Sequence, residues 1–198
     1  MALNDHIERI LWTEDEISIR VSELASQISI DFKEFRAPVV VVGVATGAFL
    51  FLADLVKKIK LPIVVDLIRA ESYGSGTESS GSPKISSDVK VDIRGKHVIV
   101  VEDIVDTGNT LSCVISHMQS KGALSVSVCA FLDKPARRKS HFELVGEGKF
   151  YRGFEARFFI LFKIEKCPDY FVVGYGMDFA ELYRNLPYIG ILKPELYQ

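Results

Sequence analysis

The stretch from His97 to Thr110, H-V-I-V-V-E-D-I-V-D-T-G-N-T, constrains the fold of this chain more than any other. Val98 to Val101 is an unbroken β-branched run with the turn-forming pair Arg94-Gly95 just before it, the pattern of a strand buried on both faces of a parallel sheet. Such a strand is central. Glu102 and Asp103 come where the run ends, and Asp106-Thr107-Gly108-Asn109-Thr110 follows before a helical stretch from Leu111 to Lys121. In a doubly wound α/β sheet the carboxyl ends of the strands open onto the ligand crevice, so polar residues gathered there are functional candidates.

The residue types suggest a ligand. Adjacent carboxylates at a strand end can engage the two hydroxyls of a ribose, or a hard cation bridging them. The next turn offers backbone N–H groups at Gly108 and Asn109, hydroxyls at Thr107 and Thr110, and the positive end of a helix dipole, all suited to a phosphate. The chain has no Gly-Lys-Ser/Thr phosphate loop and no G-x-G-x-x-G, so a nicotinamide or Walker-type site is not indicated.

Val101 to Thr110, V-E-D-I-V-D-T-G-N-T, resembles the phosphoribosyl diphosphate motif of the type I phosphoribosyltransferases, and its Glu-Asp form is similar to that of the hypoxanthine-guanine branch used in purine salvage. The competing reading is a solvated acidic strand-to-helix loop. The resemblance implies a mainly parallel central sheet flanked by helices, with a small hood built from the N- and C-terminal segments. It also implies Mg2+-dependent transfer of 5-phosphoribosyl from its diphosphate to hypoxanthine or guanine, giving IMP or GMP and pyrophosphate. Glu102 and Asp103 would hold the ribose hydroxyls or the metal, Asp106 to Thr110 would line the phosphoribosyl site, and Asp106 would act as general base at purine N7.

The rest of the chain follows in family order. Thr13-Glu14-Asp15-Glu16 is a capping-box pattern, and Ile17, Val21, Leu24 and Ile28 recur at helical spacing, predicting an amphipathic helix to about Phe35. Val39 to Val42 is a second β-branched run, followed by Gly43 to Ala48 and an apolar helix from Phe49 to Ile59, a second strand, glycine turn and helix. On the resemblance this is the pyrophosphate loop, with Thr46 and Gly47 as its ligands. Many family members carry lysine where this chain has Thr46, so the charged side-chain contact is missing there.

Ile63 to Ile68 reads as a third strand. The Gly/Ser-rich stretch from Ser72 to Pro83 is far longer than the usual connection of about 4–6 residues. Ser72-Tyr73 is similar to the Ser-Tyr pair of the family's flexible active-site lid; composition alone would read as a linker. Ile85 to Ile93 alternates apolar and polar residues and is expected to form strands flanking that loop. Ser125 to Leu132 is a further strand ending at Asp133-Lys134, and the cations Arg137, Arg138 and Lys139 read as a surface patch. The resemblance makes Lys134 the donor to the exocyclic oxygen of a 6-oxopurine.

Tyr170 to Tyr175 reads as a strand, Phe179 to Asn185 as a short helix and Pro187 to Leu192 as a terminal strand. The resemblance gives Phe171 a stacking role on the purine and gives the backbone of Val172 the base edge. It also gives Asp178 purine and metal contacts and brings Arg184 to the diphosphate. One segment departs from the family pattern. Residues 156–166 form an atypical insertion containing the continuous apolar run Phe158 to Phe162. It reads as an added edge ribbon, an association surface or translated non-coding sequence; the last is preferred because nothing in the site needs the segment.

Composition narrows the rivals. At 198 residues and 48% hydrophobic the chain suits one α/β domain, residues 1–198. A net charge of −2 supplies no bulk attraction for nucleic acid or an anionic membrane, so neither is an expected partner. Met1 to Glu8 has no apolar run, and no span of about 20 apolar residues occurs, which reads as cytoplasmic. The three cysteines, Cys113, Cys129 and Cys167, lack metal or disulfide spacing. Relatives in the family commonly associate, so a homo-oligomer, dimer or tetramer, is expected. The alternatives are a regulatory protein of the same fold that binds nucleotide or RNA, an enzyme using xanthine or a pyrimidine, and a chain inactivated by its insertion.

Overall fold

A computed structural model describes residues 3–71, 83–155 and 171–197. Six strands form the main sheet in the order β4-β3-β2-β5-β6-β7: β2 (Val39–Ala45), β3 (Ile63–Glu71), β4 (Lys84–Ser87), β5 (His97–Val105), β6 (Ser125–Asp133) and β7 (Phe150–Glu155). β5 lies inside the sheet, parallel to both β2 and β6, and Val98 to Val101 are fully buried. Burying each such side chain contributes about 1.5–3 kcal/mol. The strand outlasts its apolar run: Glu102 pairs with Ala130 and Val105 with Asp133, so the acidic pair sits within β5.

Helices α1 (Glu14–Asp31) and α2 (Phe49–Lys58) cover one face and α3 (Asn109–Ser120) the other. The period of two along each strand sorts the core: Val41, Ile99 and Val101 join the α1/α2 cluster, whereas Val40, Val98 and Val100 join that of α3. The capping box closes α1, with Thr13 N donating to Glu16 Oε2 (2.8 Å) and Glu16 N to Thr13 Oγ1 (3.4 Å). The helix stops at Asp31 rather than near Phe35, because Phe32 and Phe35 turn to pack on His97, with ring centroids 6.0 and 4.0 Å away.

A second, antiparallel sheet joins the two ends of the chain in the order β1-β9-β8: β1 (Ile7–Trp12), β9 (Ile189–Leu192) and β8 (Val172–Val173). This is the expected hood. Its residues Val172, Tyr175, Met177 and Ile189 share one apolar cluster with Phe131 and Leu132 of β6, which seats the hood over the carboxyl end of the sheet.

Three further expectations need correction. Of Ile85 to Ile93 only the first three residues are strand, the end of β4, which pairs antiparallel with β3. Asp66 Oδ2 then accepts from Lys90 N (2.6 Å) and Val91 N (3.0 Å), so a side chain takes the place of a ladder. The strand expected from Tyr170 to Tyr175 is reduced to Val172–Val173, Tyr170 lying outside the described residues. Phe179 to Asn185 is not a helix: Ala180 (φ 49°) and Glu181 (φ 66°) form a left-handed two-residue turn between the bridged residues Phe179 and Leu182. A like turn at Tyr175 and Gly176 joins Gly174 to Met177. Asp178 Oδ2 accepts from Glu181 N (2.8 Å), which satisfies locally an amide that a helix would have used.

Candidate active site

Three loops meet where β2, β5 and β6 end. The first is the β2–α2 turn, in which the Ala45–Thr46 peptide bond is cis. Gly47 lies directly on β5: a Cβ there would stand 2.0 Å from Asp103 Oδ2, so only glycine allows the turn to reach the acidic pair. The hood closes on the same point, since a Cβ at Gly176 would lie 2.0 Å from Gly47 O. Thr46, Gly47, Asp103, Gly176 and the Asp178–Arg184 pair are thereby drawn together, although they are spread over 139 positions of sequence (184 less 46, both counted).

The carboxylates are unusual. Glu102 is 7% exposed and its Oε2 is buried without a hydrogen-bond partner. Burial, then the neighbouring Asp103 charge, drives its pKa well above the ordinary carboxylate range. Asp103 is pushed up to about 6, first by burial and also by Asp178, against the amide of Ile104 and the attraction of Arg184. An orphaned carboxylate oxygen beside a second acidic group is a donor set that a divalent cation would satisfy. Among the described residues no cluster of three or more His, Cys, Asp or Glu side chains is arranged as a protein-only cage. Mg2+ suits the smaller set, because it is commonly held by one or two carboxylates completed by substrate oxygens and water.

The second loop is the turn after β5. Gly108 has φ +85°, so the chain enters α3 through a left-handed residue, and the helix starts at Asn109, two residues before the expected Leu111. Thr107 Oγ1 accepts from Asn109 N (3.4 Å), and Thr110 belongs to the first turn of α3. The third loop, after β6, braces this turn: Lys139 N and Ser140 N both donate to Thr107 O at 2.9 Å, and Ser140 Oγ donates to Asn109 Oδ1.

Asp106 points to the same loop, where Arg137 Nε donates to its Oδ1 at 2.6 Å. Lys134 is partly buried, with its backbone N–H on Val105 O (2.9 Å). Burial is the main cause of its lowered pKa; Asp106 opposes that effect and Arg137 adds to it, so the three groups interact. Arg138 ion-pairs with Asp133, 2% exposed, whose other oxygen is 2.8 Å from Arg152 Nε. Its side chain also lies against Gly108. Arg137 and Lys139 are exposed, as a surface patch requires, though Arg137 also meets Asp106; Arg138 departs from the expectation, its side chain drawn in against Asp133. No periodicity could have shown this, since their partners belong to other elements.

In the hood, Phe171 packs edge-on against Phe179 and Tyr197, with centroids 5.0 and 4.8 Å apart. Val172 is in the cluster that contains Leu132, two residues before Lys134. Asp178 is engaged at both oxygens, by Glu181 N and by Arg184 Nη2 (2.9 Å). Arg184 also donates to Gly176 O (2.8 Å) and Glu181 Oε2 (2.9 Å). Arg69, not anticipated, donates to Thr46 Oγ1 at 3.4 Å. Ser72, Tyr73 and the insertion at 156–166 lie outside the described residues.

A parallel sheet with a phosphate-type turn, an acidic pair and a terminal hood is the architecture of one enzyme class, and the match is direct: residues 12–154 fit the model of the phosphoribosyl transferase domain. The chain belongs to the phosphoribosyltransferase family. It is 39% identical over 195 residues to the hypoxanthine-guanine phosphoribosyltransferase of Staphylococcus aureus, covering 98% of this chain and 99% of the relative. It is also 41% identical to the bifunctional protein TilS/HprT of Listeria monocytogenes, over 99% of this chain and 28% of that protein. Among solved structures, a hypoxanthine phosphoribosyltransferase from S. aureus superposes with a TM-score of 0.84 at 38% identity, covering 100% of this chain and 98% of the other. A hypoxanthine-guanine phosphoribosyltransferase from Bacillus anthracis gives 0.78 at 42% identity, with coverage of 94% and 99%.

Proposed function

We propose that this chain is a purine salvage enzyme that transfers 5-phosphoribosyl from phosphoribosyl diphosphate to N9 of hypoxanthine or guanine, giving IMP or GMP and pyrophosphate. The observation that carries the reading is the convergence of the Glu102–Asp103 pair, with its unsatisfied Glu102 Oε2, the Gly47 turn and the Asp106–Lys134 pair at one edge of the sheet. The relatives named above support the choice of base.

In this reading the Thr107–Thr110 turn and the α3 N-terminus bind the 5-phosphate, and Glu102 and Asp103 orient the ribose hydroxyls and hold Mg2+ together with Asp178. When bound, Mg2+ neutralises charge on the diphosphate and so eases its departure. Thr46, Gly47 and Arg184 receive the diphosphate, while Ser72 and Tyr73 cover the site against water. Lys134 donates to O6 of the purine, Phe171 stacks on the ring and Val172 meets its edge through the main chain. Asp106 accepts the proton at N7. A lysine donor would face an amino group on adenine, so it favours a 6-oxopurine.

Residues 1–198 would act as one domain with 156–166 as an insertion outside the machinery, and the enzyme would work in the cytoplasm. No described helix is long and apolar enough to cross a membrane. Self-association is favoured by the exposed Val65 and Leu67 on β3 and Phe49 on α2, and sedimentation at micromolar concentration tests it. For the reaction itself, each purine is incubated with phosphoribosyl diphosphate and Mg2+, and nucleotide formation is followed. Product from hypoxanthine or guanine is expected. Product from xanthine or a pyrimidine alone, or none at all, would overturn the assignment.

A further inference from the structure

The turn that faces the diphosphate has little charge of its own to offer. Thr46, Gly47 and Ala48 are uncharged, and the amides of Ala48 and Phe49 are spent within the chain on Val44 O (3.2 Å) and Thr46 O (3.1 Å). Asp103 stands against Gly47, so the local field is negative where a polyanion must sit. Arg184 shares its guanidinium among Gly176 O, Asp178 and Glu181, so only part of its charge is left for the diphosphate. Beside Mg2+ and the shared Arg184, a diphosphate in this place would gain from a further cation on the protein.

Arg69 meets that need. It pairs in register with Ala45 at the carboxyl end of β3, on the strand face shared by Val65 and Leu67. Leu67 also lies against Gly43, and Leu52 of α2 approaches the same glycine, so this face looks toward α2 and its entry turn. The Arg69 guanidinium donates to Thr46 Oγ1 at 3.4 Å, and its carboxylate partner, Glu71, is 3.9 Å away. The side chain is 51% exposed, so moving it by an ångström or two costs little. Guanidinium presents paired donors suited to phosphate oxygens, which a threonine hydroxyl cannot match.

We propose that Arg69 is a diphosphate-binding residue of this site, its guanidinium leaving the Thr46 hydroxyl for the diphosphate oxygens of phosphoribosyl diphosphate and of released pyrophosphate. The proposal rests on the function given above. It also makes Thr46 and Arg69 a pair, in which the strand supplies the charge that the turn lacks.

The test is calorimetric titration of the full chain with pyrophosphate in the presence of Mg2+, and with IMP. Arg69→Gln is expected to weaken pyrophosphate binding about five- to tenfold, as loss of one partly exposed charged contact should, while IMP binding stays unchanged because IMP carries no diphosphate. In steady-state assays the same variant should raise KM for phosphoribosyl diphosphate and leave KM for hypoxanthine alone. Adding Thr46→Lys to Arg69→Gln should recover pyrophosphate affinity by returning a cation to the turn. Unaltered pyrophosphate affinity in Arg69→Gln, an equal loss of IMP binding, or no recovery with Thr46→Lys would each overturn the proposal. A chain that binds pyrophosphate through Arg69 yet makes no nucleotide would sink the salvage function and leave this contact standing; a chain that binds no pyrophosphate would remove both.

Discussion

The two strand-to-helix turns at the active edge of the sheet look alike in sequence and are held in opposite ways. The β5–α3 turn is braced by polar contacts from a single neighbouring loop, Lys139 and Ser140 amides on Thr107 O and Arg137 on Asp106, with the Arg138 aliphatic stem packed along Gly108. The β2–α2 turn is fixed chiefly by close packing from distant elements, with Asp103 against Gly47 and Gly176 against Gly47 O. The first is therefore largely formed once β5 and β6 pair. The second is complete only when the C-terminal hood docks, which would couple the proposed diphosphate site to the far end of the chain.

The largest effect should come from the chemistry of the first turn. Asp106→Asn keeps the shape but removes the proposed base, and turnover is expected to fall about 10²–10⁴-fold with phosphoribosyl diphosphate binding nearly unchanged. Parallel loss of binding in a titration would show that Asp106 holds the turn through Arg137 instead.

Gly47→Ala probes the second turn. The new methyl must displace Asp103 or the turn, and a shift of about 1 Å in such a site can lower turnover about 10²-fold. Gly108→Ala in the first turn should do less harm to turnover than to stability. It forces alanine to φ +85° and meets the flexible end of Arg138, though also Ser140 O, for a cost of about 1–3 kcal/mol. Equal turnover losses in the two variants, with equal melting shifts, would erase the distinction between packed and polar bracing.

Glu102→Gln lies between the turns. It should lower turnover about tenfold by weakening the proposed ribose and metal contact, yet stabilise the substrate-free fold by about 1–3 kcal/mol at pH above the ordinary carboxylate range, since a buried carboxyl whose ionisation is disfavoured and whose Oε2 has no partner is replaced by a neutral amide. The sign with pH follows from the raised pKa. The folded wild type holds its proton to higher pH than the unfolded chain, so its penalty grows as pH rises through that interval, and the variant's advantage should grow with it. Denaturant midpoints measured across pH read this out; a variant less stable at every pH would contradict it.

The smallest effect concerns Lys134. Burial lowers its pKa from 10.5, so the ammonium is lost before an ordinary lysine would lose it, and KM for hypoxanthine should climb on the alkaline side below that range. The folded state releases this proton more readily than the unfolded chain, so the stability linked to this group increases with pH there. A pH–KM profile flat up to the ordinary lysine range would separate Lys134 from base recognition.

Much of this was readable in advance because the signals are local. The β-branched runs of β2 and β5, the Thr13 capping box and the turns after each strand dictate their own structure, since burial period and cap chemistry act within a few residues. Phe179 to Asn185 departs from its sequence pattern for the converse reason. Its helical spacing is overridden by Asp178 capping Glu181 N, by left-handed residues 180 and 181, and by Arg184 and Leu186 pairing back to Gly176 and Tyr175. Nor could spacing reveal that Arg137 meets Asp106 and Arg69 meets Thr46, pairs 31 and 23 positions apart.

The amino-acid sequence by itself determined the central strand, the acidic pair within it and the phosphate-type turn beyond it, because hydrophobic period, charge and glycine act on their immediate neighbours. Only the tertiary structure decided which cations serve the site and how the second turn is closed. Those outcomes depend on which strand lies beside which and on a hood that brings residues 176–184 against Gly47 and Asp103, contacts that no short window of sequence contains.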